Sequence, residues 1–136
     1  MKYLGIDYGV RKIGLATSDN GLLARPLMTI ENRGDKKNIA TICGVVDGGT
    51  TLVLGLPYGA VADEIRRFGA MLSQNGLNVV YQDEGFSSFE GREIIENLNN
   101  DPSGTFKKSR YLVDVYSATV ILQRYIDGRN GQISNK

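Results

Sequence analysis

Three acidic points in this 136-residue chain have the type and setting for metal chemistry. Asp7 sits where a short apolar strand (Tyr3, Leu4, Ile6) breaks into a hairpin written GIDYGVRKIGLATSD. A carboxylate at a strand end, with Gly5 and Gly9 clearing space beside it, is suited to hold a divalent cation against a phosphate. The pair Asp83-Glu84 follows a later strand, and Asp114 opens the last helix. Gathered at one rim of an open α/β sheet, three carboxylates make a site of hard oxygen ligands for Mg²⁺ or Mn²⁺. Strand alternation sends Asp83 and Glu84 to opposite faces, so only one of them can join such a site. Each point also has a plainer reading. Asp7 can accept a main-chain bond in its hairpin, and Asp114 can complement a helix dipole.

Composition narrows the chemistry. Histidine is absent, which removes Ser-His and Cys-His nucleophile pairs and histidine-liganded zinc. The single cysteine, Cys43, makes no internal disulfide, and its place among apolar helical positions reads as a small buried hydrophobe. Acid-base work therefore falls to carboxylates, lysines or metal-bound water. The net charge of +1 neither demands nor forbids a polyanionic partner, so local clusters carry that argument. Arg11 with Lys12 flanks the first motif, and Lys107, Lys108 and Arg110 precede the last helix; with Arg92 they are candidate phosphate contacts, or a solvated surface. No apolar run reaches the roughly 18 to 20 residues of a membrane span, and the chain opens as a strand without a signal-peptide pattern. These features predict a cytoplasmic protein with no membrane partner.

The elements that must position these residues follow from periodicity. Residues 2–6 and 11–18 read as strands, the second with Ile13, Leu15 and Thr17 on one face and Gly14 and Ala16 on the other. Asp19-Asn20-Gly21 predicts a tight turn into a third, antiparallel strand over 22–30, where Pro26 marks an edge or irregularity. Asp35 reads as the N-cap of a helix carrying Ile39, Ile42, Cys43 and Val46. Residues 51–56 read as a strand buried on both faces, ending at Gly55-Leu56-Pro57. A second helix places Val61, Ile65, Phe68 and Leu72 on one stripe and stops near Asn75-Gly76, before a fifth strand over 78–82. Ser87 to Glu90 matches a capping box for a helix with Ile94, Ile95 and Leu98; its free N-terminus also makes Ser87 a candidate phosphate contact. After a polar loop over 99–109, the final helix spans about Tyr111 to Asp127. The expectation is one domain over 1–128, a mobile tail over 129–136, and an α/β mixed five-stranded sheet with helices on its faces. Its strands form an antiparallel three-strand meander plus two parallel strands.

That order, with GIDYG and RKIGLATSD at 5–19, GLP at 55–57, DEGFSS at 83–88 and DVYSATVILQRYID at 114–127, resembles the YqgF/RuvX family of the ribonuclease H-like superfamily. Its members are described as Holliday junction resolvases or as nucleases that process the 5′ end of pre-16S ribosomal RNA. By position, the resemblance implies Asp7, Glu84 and Asp114 as catalytic metal ligands. They would hold two Mg²⁺ or Mn²⁺ ions roughly 4 Å apart, weakly until substrate phosphate joins them. The implied partner is structured RNA or branched DNA, met as a monomer or a homodimer. Two departures stand out. Relatives carry Arg where this chain has Gly85, and an Asn and an Asp-Gly pair where it reads Tyr58-Gly59-Ala60-Val61-Ala62-Asp63. They open a second hypothesis, a nucleic-acid-binding protein that keeps the fold with weak or no catalysis. A third, an actin-like phosphotransferase, needs two lobes where this chain has length for one.

Overall fold

Along Tyr3–Tyr8 (β1), successive side chains leave opposite faces of the backbone, and both faces are covered. Leu4 and Ile6 enter one buried cluster and Tyr3 another. The computed structural model describes residues 2–83 and 109–134, with side chains over 115–130 in the second segment. Around β1 it assembles Lys12–Ser18 (β2), Arg25–Glu31 (β3), Asp35–Val45 (α1), Thr51–Leu56 (β4), Val61–Gln74 (α2), Asn78–Asp83 (β5) and Ser109–Ser134 (α3). The sheet order is β3-β2-β1-β4-β5, with the first three strands antiparallel and β4 and β5 parallel to β1. This is the meander plus two parallel strands that the sequence predicts.

Strand parity sorts the core into two layers. On one face, Leu4, Ile6, Ile13, Leu15, Leu52 and Leu54 meet Ile39 and Ile42 of α1 and Ile65, Phe68 and Leu72 of α2. On the other, Tyr3, Ala16 and Val53 meet Ala118, Ile121, Leu122 and Ile126 of α3. The α3 face includes Ala16, Val53 and Ala118, and the helix comes close to the sheet at Gly5. A Cβ there would lie 2.7 Å from Leu122 Cβ and 2.8 Å from the Ala118 carbonyl oxygen.

Several local expectations are corrected. Residues 19–24 form a longer connection instead of a tight turn, because Asn20 Oδ1 accepts the amides of Leu22 (2.9 Å) and Leu23 (3.1 Å) and curls the chain. Strand β3 therefore starts at Arg25. It is an edge strand with a register shift opposite Leu15/Ala16, as Pro26 suggests. Asp35 does not cap α1. Gly34, at φ 99°, holds the cap position without a side-chain bond, and Asp35 instead accepts the Tyr8 hydroxyl at 3.2 Å. Cys43 is exposed, not buried, because it lies about a quarter of a turn from the middle of the Asn38/Ile39/Ile42 stripe. Val61 is also exposed; Ala62, Ile65, Phe68, Gly69 and Leu72 form the inner face of α2. Helix α3 runs on past Asp127 to Ser134, through residues that read as a tail, and Asn130 Nδ2 donates to the Gly21 carbonyl at 3.3 Å. The predicted helix after Ser87 and the polar loop before α3 lie outside the described residues. Among the described residues no helix is long and apolar enough to cross a membrane.

An interaction absent from the sequence reading closes the corner between β3 and α1. The Asn38 amide, 1% exposed, donates to Asn32 Oδ1 at 2.8 Å and accepts the Arg33 amide at 3.0 Å. Asn38→Ala takes the acceptor from the Arg33 amide and one of two donors from Asn32 Oδ1, which keeps the Gly34 amide, so it should cost about 1–3 kcal/mol in urea unfolding. Gly5→Ala should cost about 1–3 kcal/mol, because the Ala118 carbonyl in its path is backbone and cannot swing aside. Gly44→Ala, in α1 with nothing within 4 Å of an added Cβ, should raise stability by about 0.5–1 kcal/mol in the same assay. A neutral Gly5→Ala would show that α3 does not ride directly on β1.

Candidate active site

Asp7 shares its parity with Tyr3 and Gly5, so strand alternation assigns it to the α3 side of the sheet. Tyr8 takes the other side, where its ring packs against Phe68 with centroids 4.9 Å apart. Burial is the main cause that pushes the Tyr8 phenol above its ordinary pKa; a bond from Asn32 opposes it, and Asp35 adds to it. Asp7 itself is half-buried and pairs with Gly14. Gly55, one residue past the Ile6–Leu54 pair, flanks it on the other side. The row around Asp7 is thus floored by glycine in both neighbouring strands. Because β1, β4 and β5 are parallel, their carboxyl ends form one rim, the edge where open α/β sheets bind ligands.

Helix α3 crosses this face antiparallel to β1. The Tyr125 ring lies 5.8 Å from that of Tyr3, and Ala118 and Leu122 ride over Gly5, so the helix N-terminal turns lead toward Asp7. Asp7 lies about 7 Å beyond Gly5 along the strand. Position 114 lies about 9 Å beyond the midpoint of Ala118 and Leu122 along the helix. The backbone therefore brings positions 7 and 114 to the same end and the same face, one helical turn before Ala118.

Asp83 is not part of that convergence. It follows Val79 and Tyr81 on the α2 side, and its Oδ2 accepts the Tyr58 hydroxyl at 3.0 Å. That bond, and then the charge of Asp83, hold the Tyr58 phenol above its ordinary pKa. Of the predicted phosphate contacts, Arg11 is exposed in the β1–β2 turn and Lys12 half-buried in β2, both at the Asp7 end. Arg110 falls in the first turn of α3, known by its backbone. Glu84, Ser87, Arg92, Lys107 and Lys108 lie outside the described residues. Among the described residues no three acidic or cysteine side chains gather to hold a metal.

The glycines expected to clear space beside Asp7 do something else. Gly5 admits α3, and a Cβ on Gly9 would collide with the Lys12 carbonyl inside the hairpin. Asn32, which sequence reasoning missed, braces that hairpin. Its main-chain N–H donates to the Arg11 carbonyl and its Nδ2 to the Gly9 carbonyl, both at 2.8 Å. Only the strand register reveals this pairing, since nothing about an isolated Asn between strand and helix marks it.

Comparison with known proteins agrees with this architecture. Residues 1–128 match the family model RuvX, described as Holliday junction resolvase. A protein of Synechococcus sp. is 34% identical over 134 residues, covering 91% of this chain and 87% of its own. One of Anaeromyxobacter sp. is 36% identical over 141 residues, covering 96% and 99%. Both carry the name "Putative pre-16S rRNA nuclease". Among solved structures, the Fowlpox virus resolvase bound to Holliday junction DNA aligns with TM-score 0.64 at 9% identity, over 95% of this chain and 99% of that one. RuvC of T. thermophilus with its Holliday junction substrate aligns with TM-score 0.53 at 15% identity, over 96% of each. At such identities these two speak for the fold, which is ribonuclease H-like. The family match over nearly the whole chain and relatives above 30% identity settle the rest: the chain belongs to the RuvX family and is a nuclease, an enzyme that hydrolyses phosphodiester bonds.

Proposed function

We propose that this chain cleaves structured RNA, trimming the 5′ end of pre-16S ribosomal RNA in the cytoplasm, with Asp7, Glu84 and Asp114 as its divalent-metal ligands. The observation that carries the reading is Asp7, half-buried on the α3 side of the parallel-strand rim, with helix position 114 leading to the same end. Glu84 enters the set from the family resemblance, in place of Asp83, which lies on the α2 side and holds the Tyr58 hydroxyl. The donor set is all carboxylate, which fits Mg²⁺ or Mn²⁺ and not a thiolate- or imidazole-loving ion.

A divalent ion held there by these carboxylates would supply a nucleophilic water at neutral pH and would neutralise charge on the phosphate oxygens. The chain's own groups do the rest. Asp7 is held by a strand buried on both faces and cannot swing away from the rim. Arg11 and Lys12, on the hairpin braced by Asn32, take phosphates beside it, joined from the last helix and its approach by Lys107, Lys108 and Arg110. Ser87 and Arg92 complete the contact set. The names carried by the curated relatives favour precursor rRNA, while the family description supports four-way junction DNA as a second reading. A two-fold junction asks for paired sites in a homodimer, whereas trimming a single RNA end asks for one site.

Purified protein with Mn²⁺, labelled precursor rRNA fragments and a labelled four-way junction tests this directly. The wild type should cleave the RNA, and Asp7→Asn should lower the rate by at least about 100-fold. EDTA should abolish cleavage. In EDTA, Asp7→Asn should unfold in one cooperative transition like wild type, because asparagine has the size of aspartate and keeps the packing of β1. Added Mg²⁺ should raise the wild-type melting temperature more than that of the variant. Equal cleavage by both proteins would sink the proposed site, and absence of cleavage by either would leave a binding protein.

A further inference from the structure

Tyr58 is 80% exposed, yet its position is fixed. It sits directly after Pro57, whose ring locks φ, and before Gly59, which turns the chain at φ 103°. The donated bond to Asp83 then orients the ring. An aromatic face offered to solvent on a rigid loop loses little entropy when something flat covers it. The loop leaves the carboxyl end of β4, on the same rim as Asp7. Tyr58 stands three positions beyond Gly55, which flanks Asp7, so its backbone lies on the order of 10 Å from that strand position.

The charges around Tyr58 decide what covers it. Asp83 holds its hydroxyl, and Asp63 and Glu64 occupy the first turn of α2 beside the loop. Phosphate is repelled there, while the uncharged face of a base is not.

We propose that Tyr58 is a stacking platform for an unpaired nucleobase of the substrate, a few nucleotides from the scissile phosphate. The proposal rests on the nuclease reading above and adds a substrate class: nucleic acid with a single-stranded end or an unpaired base beside the cut. Stacking reads a base face and not its edge, so Tyr58 selects for unpaired structure and not for sequence.

The test is binding of fluorescein-labelled single-stranded RNA by anisotropy, with Ca²⁺ replacing Mg²⁺ and salt varied. Tyr58→Ala should weaken binding about 5- to 150-fold. Tyr58→Phe, which keeps the ring, should stay within about threefold of wild type. The salt dependence should be the same for all three, because no phosphate contact is lost. Abasic substitution along the RNA should weaken wild-type binding at one or two adjacent positions and leave Tyr58→Ala insensitive there. Binding by Tyr58→Ala within about twofold of wild type overturns the proposal, as does an equal loss in Tyr58→Phe or the lack of any abasic-sensitive position. If those results come with cleavage by wild type and none by Asp7→Asn, stacking alone fails. If wild type neither binds nor cleaves, the nuclease reading falls and takes the platform with it.

Discussion

A methyl group at position 5 has nowhere to go, and much of the molecule follows from that. With hydrogen in its place, α3 settles against β1 until Leu122 Cβ and the Ala118 carbonyl fill the space. The contact fixes the height of the helix over the sheet and, through Tyr3 against Tyr125, its direction. Once height and direction are set, the helical rise delivers position 114 to the end of β1 where Asp7 stands. A larger residue at position 5 lifts the helix and moves that end of it away from the rim. The glycine therefore acts on the site through geometry, without touching substrate.

The opposite face holds the sheet still. Phe68, Ile65 and Leu72 of α2 pack with Ile39 and Ile42 of α1 on Leu4, Ile6, Leu52 and Leu54, so β1 and β4 are clamped from both sides. The strand ends are secured by polar contacts instead. At the rim, Asn32 grips the β1–β2 turn while Asn38 grips Asn32. At the far end, Gln123 joins α3 to the β2–β3 connection by accepting the Ala24 amide at 2.7 Å and donating to the Leu22 carbonyl at 3.0 Å. The ion pair Lys2–Asp47 (2.6 Å) at that end is exposed on both sides and adds little.

How much of this was legible in the sequence depends on whether the signal is local. The two-residue period of Ile13, Leu15 and Ala16 gave the faces of β2 directly, and Pro26 foretold both the edge and the irregular register of β3. The apolar run of β4 announced burial on both faces. Features that depend on a partner distant in the chain were not legible. Gly5 and Gly9 looked like space for a ligand because the neighbours that consume the space, Leu122 and the Lys12 carbonyl, were not yet placed. Asn38 looked like one polar residue on a helix, and its burial follows from Asn32 across the loop. The end of α3 misled because Gly128 and the polar residues after it carry no apolar stripe, whereas Asn130 gains a hydrogen bond to the Gly21 carbonyl. Cys43 misled for the reverse reason: an apolar residue next to the stripe is not on it. For the candidate site, the position of Asp7 was read from its motif, and the rim that it shares with Tyr58 needed the parallel pairing of β4.

The charge of this chain makes the two flanks of that rim meaningful. A protein with a net charge of +1 has no general attraction for a polyanion, so affinity depends on how its charges are sorted. On the β1–β2 flank stand Arg11 and Lys12; on the α2 flank stand Asp63, Glu64 and Asp83. A nucleic-acid strand laid across such a rim lowers its energy by turning its phosphates toward the first flank and its bases toward the second. That polarity orients the strand before any base is read. It also bears on the change after Pro57: an acidic flank is a poor surface for a backbone and a suitable one for a ring, and Tyr58 puts a ring there. Asp83, placed by parity on the side away from Asp7, then serves the rim by holding that ring instead of a cation.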